Sequence, residues 1–318
     1  MKVLFITNMY PVADYIYFGI HVKEQIDALS LHKQVDADVY FINGRGNKLN
    51  YLKSIYEIRK QIVKGNYDVI HIHYGISGIF LLFFKPLIPV IITLHSGELF
   101  QKKGKLNHLM QKSLTMRIVR KVNKVIVLND DMILLLKKYK NKLIKLPCGS
   151  DLKIFNAINI IKDTPTILIG FPGNKARKEK NYQLFLDIIN TLKILYPIKI
   201  VEFHNLTRSE VVENLNRMDV LLMTSTVEGS PQIIKEAMAC NKPIVSTSVG
   251  DVVDLLADVK NSFVIKSFKP ENFIEPIKQL LALAPTERIS TGRAKLLKMG
   301  LDAESVSEKI IKIYEEVI

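Results

Sequence analysis

Short apolar runs rich in valine and isoleucine recur along this chain, each followed by a longer amphipathic stretch. In the first half they fall at residues 3–7, 37–42, 69–73, 90–94, 124–128 and 143–147, and in the second at 166–171, 198–204, 219–224, 243–247 and 262–265. Runs this apolar suit strands buried on both faces, and the stretches between them suit crossover helices, so the pattern predicts parallel sheets. Two Rossmann-like lobes follow, and 318 residues are enough for each to bury its own core.

Other sequence features narrow the class. The opening Met-Lys-Val-Leu-Phe-Ile-Thr-Asn is too short an apolar run for a signal peptide and reads as a first strand. Residues 76–94 are strongly apolar, but Lys85, Pro86 and Pro89 interrupt them, which favours a helix and a strand over a membrane span. Cys148 and Cys240 are far apart and lack metal-ligand spacing, so reduced thiols and a cytoplasmic setting are expected. The formal charge of +14 calls for an acidic partner such as nucleic acid, anionic lipid or a phosphorylated substrate.

The segment with the most chemical content spans residues 228–251. Ser230 followed by Pro231 predicts an N-cap and a first helical residue, with the helix running through Ala239. The amides of Gln232 and Ile233 then lack intrahelical acceptors, and Gly229 allows close approach, which together make an anion site. Glu228 lies just before that end. Glu236 is deeper in the helix, but helical side chains lean toward the N-terminus, so its carboxylate can reach the same ligand. A ligand with phosphate on one side and hydroxyls on the other fits this arrangement, as a nucleotide sugar does.

Glu228 and Glu236, with the Pro-Ile-Val-Ser-Thr-Ser-Val-Gly-Asp-Val that follows, resemble the E-x7-E signature of retaining glycosyltransferases with the GT-B fold. The resemblance implies two Rossmann-like lobes, residues 1–158 binding acceptor and 159–302 binding donor, with a helix at 303–318 returning to the first lobe. Pro147-Cys148-Gly149-Ser150-Asp151, with Phe155, is similar to that family's P-N-G-V-D-x3-F hinge. The second lobe is short by family standards, which implies one strand fewer at its sheet edge.

The remaining site residues are assigned through the same resemblance. Lys180 before Asn181 matches the family's diphosphate-binding lysine, and Arg177 its arginine, with Lys175 an alternative. Gly19 stands where the family has a glycine loop that approaches the diphosphate. There is no G-x-G-x-x-G, which weakens a dehydrogenase reading. Thr93-Leu94-His95-Ser96-Gly97-Glu98 resembles a T-x-H-x-x-D/E turn and implies that His95 lies near the acceptor hydroxyl. His71 and His73 alternate with isoleucine and read as structural or cleft-lining. Asp36-Ala37-Asp38 has metal-binding spacing but stands at the wrong end of a strand, so no metal is expected. Asn129 reads as a helix N-cap.

The expectation is therefore a metal-independent hexosyltransferase. It would use a UDP- or GDP-sugar and a glycan or lipid-linked acceptor in bacterial surface polysaccharide synthesis. A sugar-nucleotide epimerase of the same fold is the alternative, and a basic nucleic-acid-binding protein a more distant one. Lys102, Lys103, Lys105, Lys112, Arg117, Arg120, Lys121 and Lys124, interleaved with apolar residues, suggest peripheral contact with an anionic membrane.

Overall fold

The computed structural model describes residues 1–100, 105–158 and 165–318. The elements alternate as the sequence pattern requires. The first stretch contains β1 (Lys2–Thr7), α1 (Ile20–Ser30), β2 (Asp36–Phe41), α2 (Asn50–Gly65), β3 (Val69–His73), a 3-10 helix (Gly75–Leu82), β4 (Val90–Thr93), α3 (Gly97–Phe100), α4 (Lys105–Val119), β5 (Lys124–Val127), α5 (Asp130–Leu135) and β6 (Leu143–Lys145). The second contains β7 (Ile167–Phe171), α6 (Tyr182–Leu192), β8 (Ile198–Glu202), α7 (Arg208–Arg217), β9 (Val220–Met223), α8 (Gln232–Ala239), β10 (Ile244–Thr247), α9 (Val252–Leu256), β11 (Ser262–Ile265), α10 (Glu271–Ala282) and α11 (Gly292–Met299), before α12 (Ala303–Glu315) ends the chain.

These elements form two compact units, Met1–Cys148 with Ala303–Ile318, and Gly149–Asp302. The first holds a six-stranded sheet in the order β2-β1-β3-β4-β5-β6 and the second a five-stranded sheet in the order β11-β10-β9-β7-β8. All pairings within the sheets are parallel. The central strands β3 and β4 are buried along their whole length, as a sheet covered on both faces demands. Leu4, Ile6, Ile70, Ile72 and Ile92 join Phe80 and Ile118 in one core, and Ile169, Phe171, Phe185, Leu222 and Phe273 build the other.

The boundary expected after residue 158 instead falls after Cys148. Residues past it are held by the second unit. Arg293 donates to the carbonyls of Leu152 at 2.9 Å and Phe155 at 2.8 Å, while the Asn216 side chain bonds both the Ile158 N–H and the Asn156 carbonyl. At the other end, α12 packs on α1 and so belongs to the first unit. Local signals behave as read: the Asn129 side chain caps α5 by accepting from the Met132 N–H at 3.0 Å. Asp36 and Asp38 lie within β2 rather than before it, and Asp38 accepts from the Tyr67 hydroxyl at 2.7 Å. Among the described residues no helix is long and apolar enough to cross a membrane.

Candidate functional site

In a parallel sheet the loops after neighbouring strands emerge at one end, where ligands bind in α/β folds. In the second unit, β7, β9 and β10 are neighbours, and the loops after them gather the charged residues. The loop after β7 ends in a 3-10 turn, Lys178–Lys180, and Asn181 at φ 50°. It is fastened to the end of β9. The Thr224 hydroxyl donates to the carbonyls of Lys180 and Asn181, each at 3.1 Å, and the Thr226 N–H donates to the Glu179 carbonyl at 2.8 Å. These bonds bring the Lys180 ammonium to 2.6 Å from the Glu228 carboxylate, with side chains only 12% and 16% exposed.

The loop after β10 closes on the same place. Gly250 has φ 57°, and a Cβ there would stand 2.3 Å from the Gly229 carbonyl oxygen. The Asp251 N–H donates to that carbonyl at 3.3 Å, so the loop after β10 meets the loop carrying Glu228 through a close backbone contact. Helix α8 then begins at Gln232. Pro231, with φ −67° and ψ 114°, is its extended flanking residue, so the cap stands one residue later than expected. Ser230 does not cap it; its hydroxyl lies beside the Asp251 carboxyl instead. The amides of Gln232 and Ile233 still precede any intrahelical acceptor, and the Gln232 side chain donates to the Gly149 carbonyl at 2.8 Å.

Glu236 lies inside α8 and is buried, accepting from the Arg208 guanidinium at 2.6 Å. Arg208 also stacks over the Phe155 ring at 4.6 Å. Beneath them Lys235 is fully buried near Asp251, whose carboxyl burial pushes up to about 6 against the pull of Lys235 and Ser230. Arg177 is partly exposed and paired with Glu179 at 2.6 Å, while Lys175 pairs with Glu202 at 3.2 Å. The structure therefore brings Lys180 to Glu228 and Gly229 just before the start of α8, holds the Glu236–Arg208 pair further along that helix, and turns Arg177 to a neighbour in its own loop. Such a group can hold a phosphate with a cation and helix amides and hydroxyls with carboxylates.

The first unit concentrates rings rather than charges. Gly19 precedes α1 at φ 69°, and a Cβ there would lie 2.3 Å from the Met9 backbone. His95 follows β4, and its N–H donates to Glu98 at 3.0 Å; burial raises the Glu98 pKa above the usual carboxylate range. The His95 ring stacks on Tyr74 at 4.2 Å and His73 at 5.4 Å, and meets His21 edge-on at 5.0 Å. His73 Nδ1 and His95 Nε2 are 3.1 Å apart, and His21 Nε2 is 2.9 Å from the Tyr74 hydroxyl. Deeper in, His71 bonds the Tyr314 hydroxyl at 2.6 Å through Nδ1 and Thr93 at 2.8 Å through Nε2. Burial lowers the His71 pKa to about 3 and holds His73 well below 6.5, so both rings are neutral. Tyr74 and Ser96 adopt φ values of 67° and 68°, a rare strain for residues with a side chain.

Arg208, Lys235, Asp251, Tyr74 and Tyr314 were not foreseen. Only Arg208 left a signal: Thr207-Arg208-Ser209-Glu210 forms a capping box, which marks a helix start after β8. Of the expected basic surface, Lys102 and Lys103 lie outside the described residues. Lys124 sits in β5 paired with Glu316 at 2.9 Å, Arg120 donates to the Tyr139 hydroxyl, and Ile118 and Val119 are buried in the core. No three His, Cys, Asp or Glu side chains among the described residues are grouped to hold a metal.

Two family profiles match the chain, "Glycosyltransferase Family 4" over residues 20–153 and "Glycosyl transferases group 1" over residues 190–283. An uncharacterized glycosyltransferase of Methanocaldococcus jannaschii is 25% identical over 297 residues, covering 85% of this chain and 81% of that protein. A Campylobacter jejuni N,N'-diacetylbacillosaminyl-diphospho-undecaprenol alpha-1,3-N-acetylgalactosaminyltransferase is 27% identical over 114 residues, 35% of this chain and 30% of its own length. Among solved structures, sucrose-phosphate synthase from Thermosynechococcus elongatus superposes with a TM-score of 0.76 at 15% identity, over 99% of this chain and 98% of that one. Anabaena HepE in complex with UDP-glucose gives 0.72 at 14% identity, over 99% and 100%. With one glycosyltransferase profile matched in each half of the chain and the fold shared end to end, the chain has the GT-B fold and is similar to glycosyltransferases in both of its units.

Proposed function

We propose that this protein transfers a hexose, with retention at the anomeric carbon, from a nucleoside diphosphate donor to a hydroxyl of a glycan or lipid-linked oligosaccharide in the assembly of bacterial surface polysaccharide. The observation that carries this reading is the Lys180–Glu228 pair beside the free start of α8, with Glu236 in the same helix. Cleaving the donor C–O bond loads negative charge onto the leaving diphosphate. Lys180 and the amides of Gln232 and Ile233 then interact more strongly with the transition state than with the bound donor. Arg177 adds to this field by leaving Glu179. Glu228 accepts from sugar hydroxyls once Lys180 turns to phosphate, and Glu236, steadied by Arg208, accepts from the ribose. His95, kept among neutral rings in the first unit, is assigned to the acceptor side, and Gly19 to backbone approach to the donor.

In this reading no protein nucleophile forms a covalent intermediate and no metal is required. HepE, solved with UDP-glucose, makes a uridine donor the first to test. A thermal-shift series with UDP, GDP, ADP and their sugar conjugates, with and without EDTA, tests the proposal. A rise with one nucleotide series that EDTA leaves intact and Glu236→Ala removes supports it. No shift with any nucleotide at millimolar concentration sinks it.

A further inference from the structure

His71 and His73 stand on one face of β3, two residues apart, and differ in what their ring nitrogens meet. His71 meets a hydroxyl at each nitrogen, from Tyr314 and Thr93. A hydroxyl can donate or accept, so either tautomer of His71 is satisfied. His73 has no such choice. Its Nδ1 lies 3.1 Å from His95 Nε2, and its own Nε2 is buried without a hydrogen-bond partner. The His73 side chain is fully buried, and burial keeps the ring neutral, so it carries one N–H and one bare nitrogen.

One hydrogen must lie between the two facing nitrogens, because two would collide and none would oppose two lone pairs. If His95 supplied it from Nε2, the proton of neutral His73 would have to sit on its own Nε2, as a buried N–H with no acceptor. Folded proteins almost never leave such a donor unpaired, and they tolerate an unpaired acceptor more readily. The hydrogen therefore belongs to His73 Nδ1. His95 Nε2 accepts it, which leaves the one proton of His95 on Nδ1. The imidazolium form of His95 is excluded by the same count, since it too would need a hydrogen on Nε2.

The His95 ring is also held in place. Tyr74 lies against it at 4.2 Å with the planes 28° apart, and His21 meets it edge-on at 5.0 Å. The His95 carbonyl accepts from the Gly97 N–H at 2.8 Å, and its N–H donates to Glu98. The titratable groups described around the pair are His21 on α1, His71 on β3, Tyr74 just after it and Glu98 on α3. Glu98 engages backbone N–H groups rather than either ring.

We propose that His73 is a positioning residue. By donating from Nδ1 it holds His95 neutral with its proton on Nδ1, so that His95 works on the acceptor side as a hydrogen-bonding group and not as a base. The part played in turnover rests on the transferase reading above; the placement of the proton does not.

Long-range 1H–15N spectra of the full chain labelled at histidine test it, with His95→Gln to assign the signals. Wild-type His95 should show a protonated Nδ1 and a bare Nε2, and should not titrate between pH 5 and 8. His73→Leu should free the ring to titrate near 6.5 and should lower kcat by about tenfold, the worth of one hydrogen bond. His73→Asn offers an amide N–H close to the place of Nδ1, and should restore the wild-type signals and keep kcat within about threefold. A side chain that only filled space would change the unfolding midpoint and leave the His95 signals alone. The proposal is overturned by a wild-type proton on Nε2, by His95 signals unmoved in His73→Leu, or by altered signals with kcat unchanged. The wild-type spectrum decides the proton's place even if His73→Leu does not fold. Nucleotide thermal shifts are read separately, so their absence beside the expected His95 spectra would sink the transferase reading and not the tautomer.

Discussion

In the first unit the polar side chains gathered around the ends of β3 and β4 are imidazoles stacked on one another and on tyrosine, and burial holds those of His71 and His73 neutral. In the second, ion pairs stand there instead, Lys180 with Glu228 in the loops after β7 and β9, and Arg208 at the start of α7 with Glu236 in α8. Both units rest on the same parallel sheet logic, yet one site excludes charge and the other stores it. Burial accounts for the difference. Imidazoles enter a low-dielectric interior cheaply because they can shed their proton, whereas lysine and arginine can be tolerated there only beside a carboxylate. A site that must receive a charged diphosphate benefits from fixed cations. A site that must orient a hydroxyl needs hydrogen bonds that do not attract stray anions.

Acid should separate the two units most strongly. His71 and His73 stay neutral in the fold, while unfolded histidine protonates near pH 6.5. Below that value the unfolded chain binds more protons, and stability falls as pH drops, by roughly 2.7 kcal/mol per pH unit for the two rings together until their low folded values are reached. Asp251 in the second unit acts in the opposite sense. Its folded carboxyl keeps its proton up to about 6 and its unfolded one loses it near 3.8, so stability falls as pH rises through that window, by about 3 kcal/mol in all. Urea unfolding from pH 4 to 7 should show a shallower acid slope in His73→Asn and loss of the fall between about pH 4 and 6 in Asp251→Asn. Unchanged slopes in both would refute the contrast.

Breaking the charged site should affect turnover next most strongly. Lys180→Ala or Glu228→Ala should lower kcat by about 10²- to 10³-fold in single-turnover assays with the donor identified by thermal shift, while circular dichroism remains native. Full activity in either variant would remove the site. In the neutral cluster, Tyr314→Phe strands His71 Nδ1 in a fully buried position and should cost about 1–3 kcal/mol by urea unfolding. An unchanged midpoint would mean that the bond does not anchor α12. The smallest effect is expected of Arg177→Ala. Its pair with Glu179 is partly exposed, so the unfolding free energy should move by less than about 1 kcal/mol. A larger loss would place Arg177 in the framework of the loop rather than in reserve for a ligand.

Residue pattern alone located the eleven strands among the described residues, because a strand buried on both faces needs an unbroken apolar run and little else in the chain supplies one. It also pointed to Glu228 and Glu236, which stand at a helix start whose local chemistry is distinctive, whereas Lys180 was assigned through the family resemblance. Ser230 and Arg177 show where that approach stops. Ser230 has the composition of a cap, but α8 starts one residue later with Pro231 as its flanking residue, and the Ser230 hydroxyl bonds none of the helix amides. Arg177 has the composition of a diphosphate ligand, and its own loop turns it to Glu179. Hydrophobic period and turn residues act over a few neighbours, so the sequence by itself determined the strands, the two sheets and the positions of the site loops. Arg208 against Glu236, Tyr314 against His71 two hundred and forty-three residues away, and His73 against His95 depend on which elements pack together, and only the tertiary structure decided them.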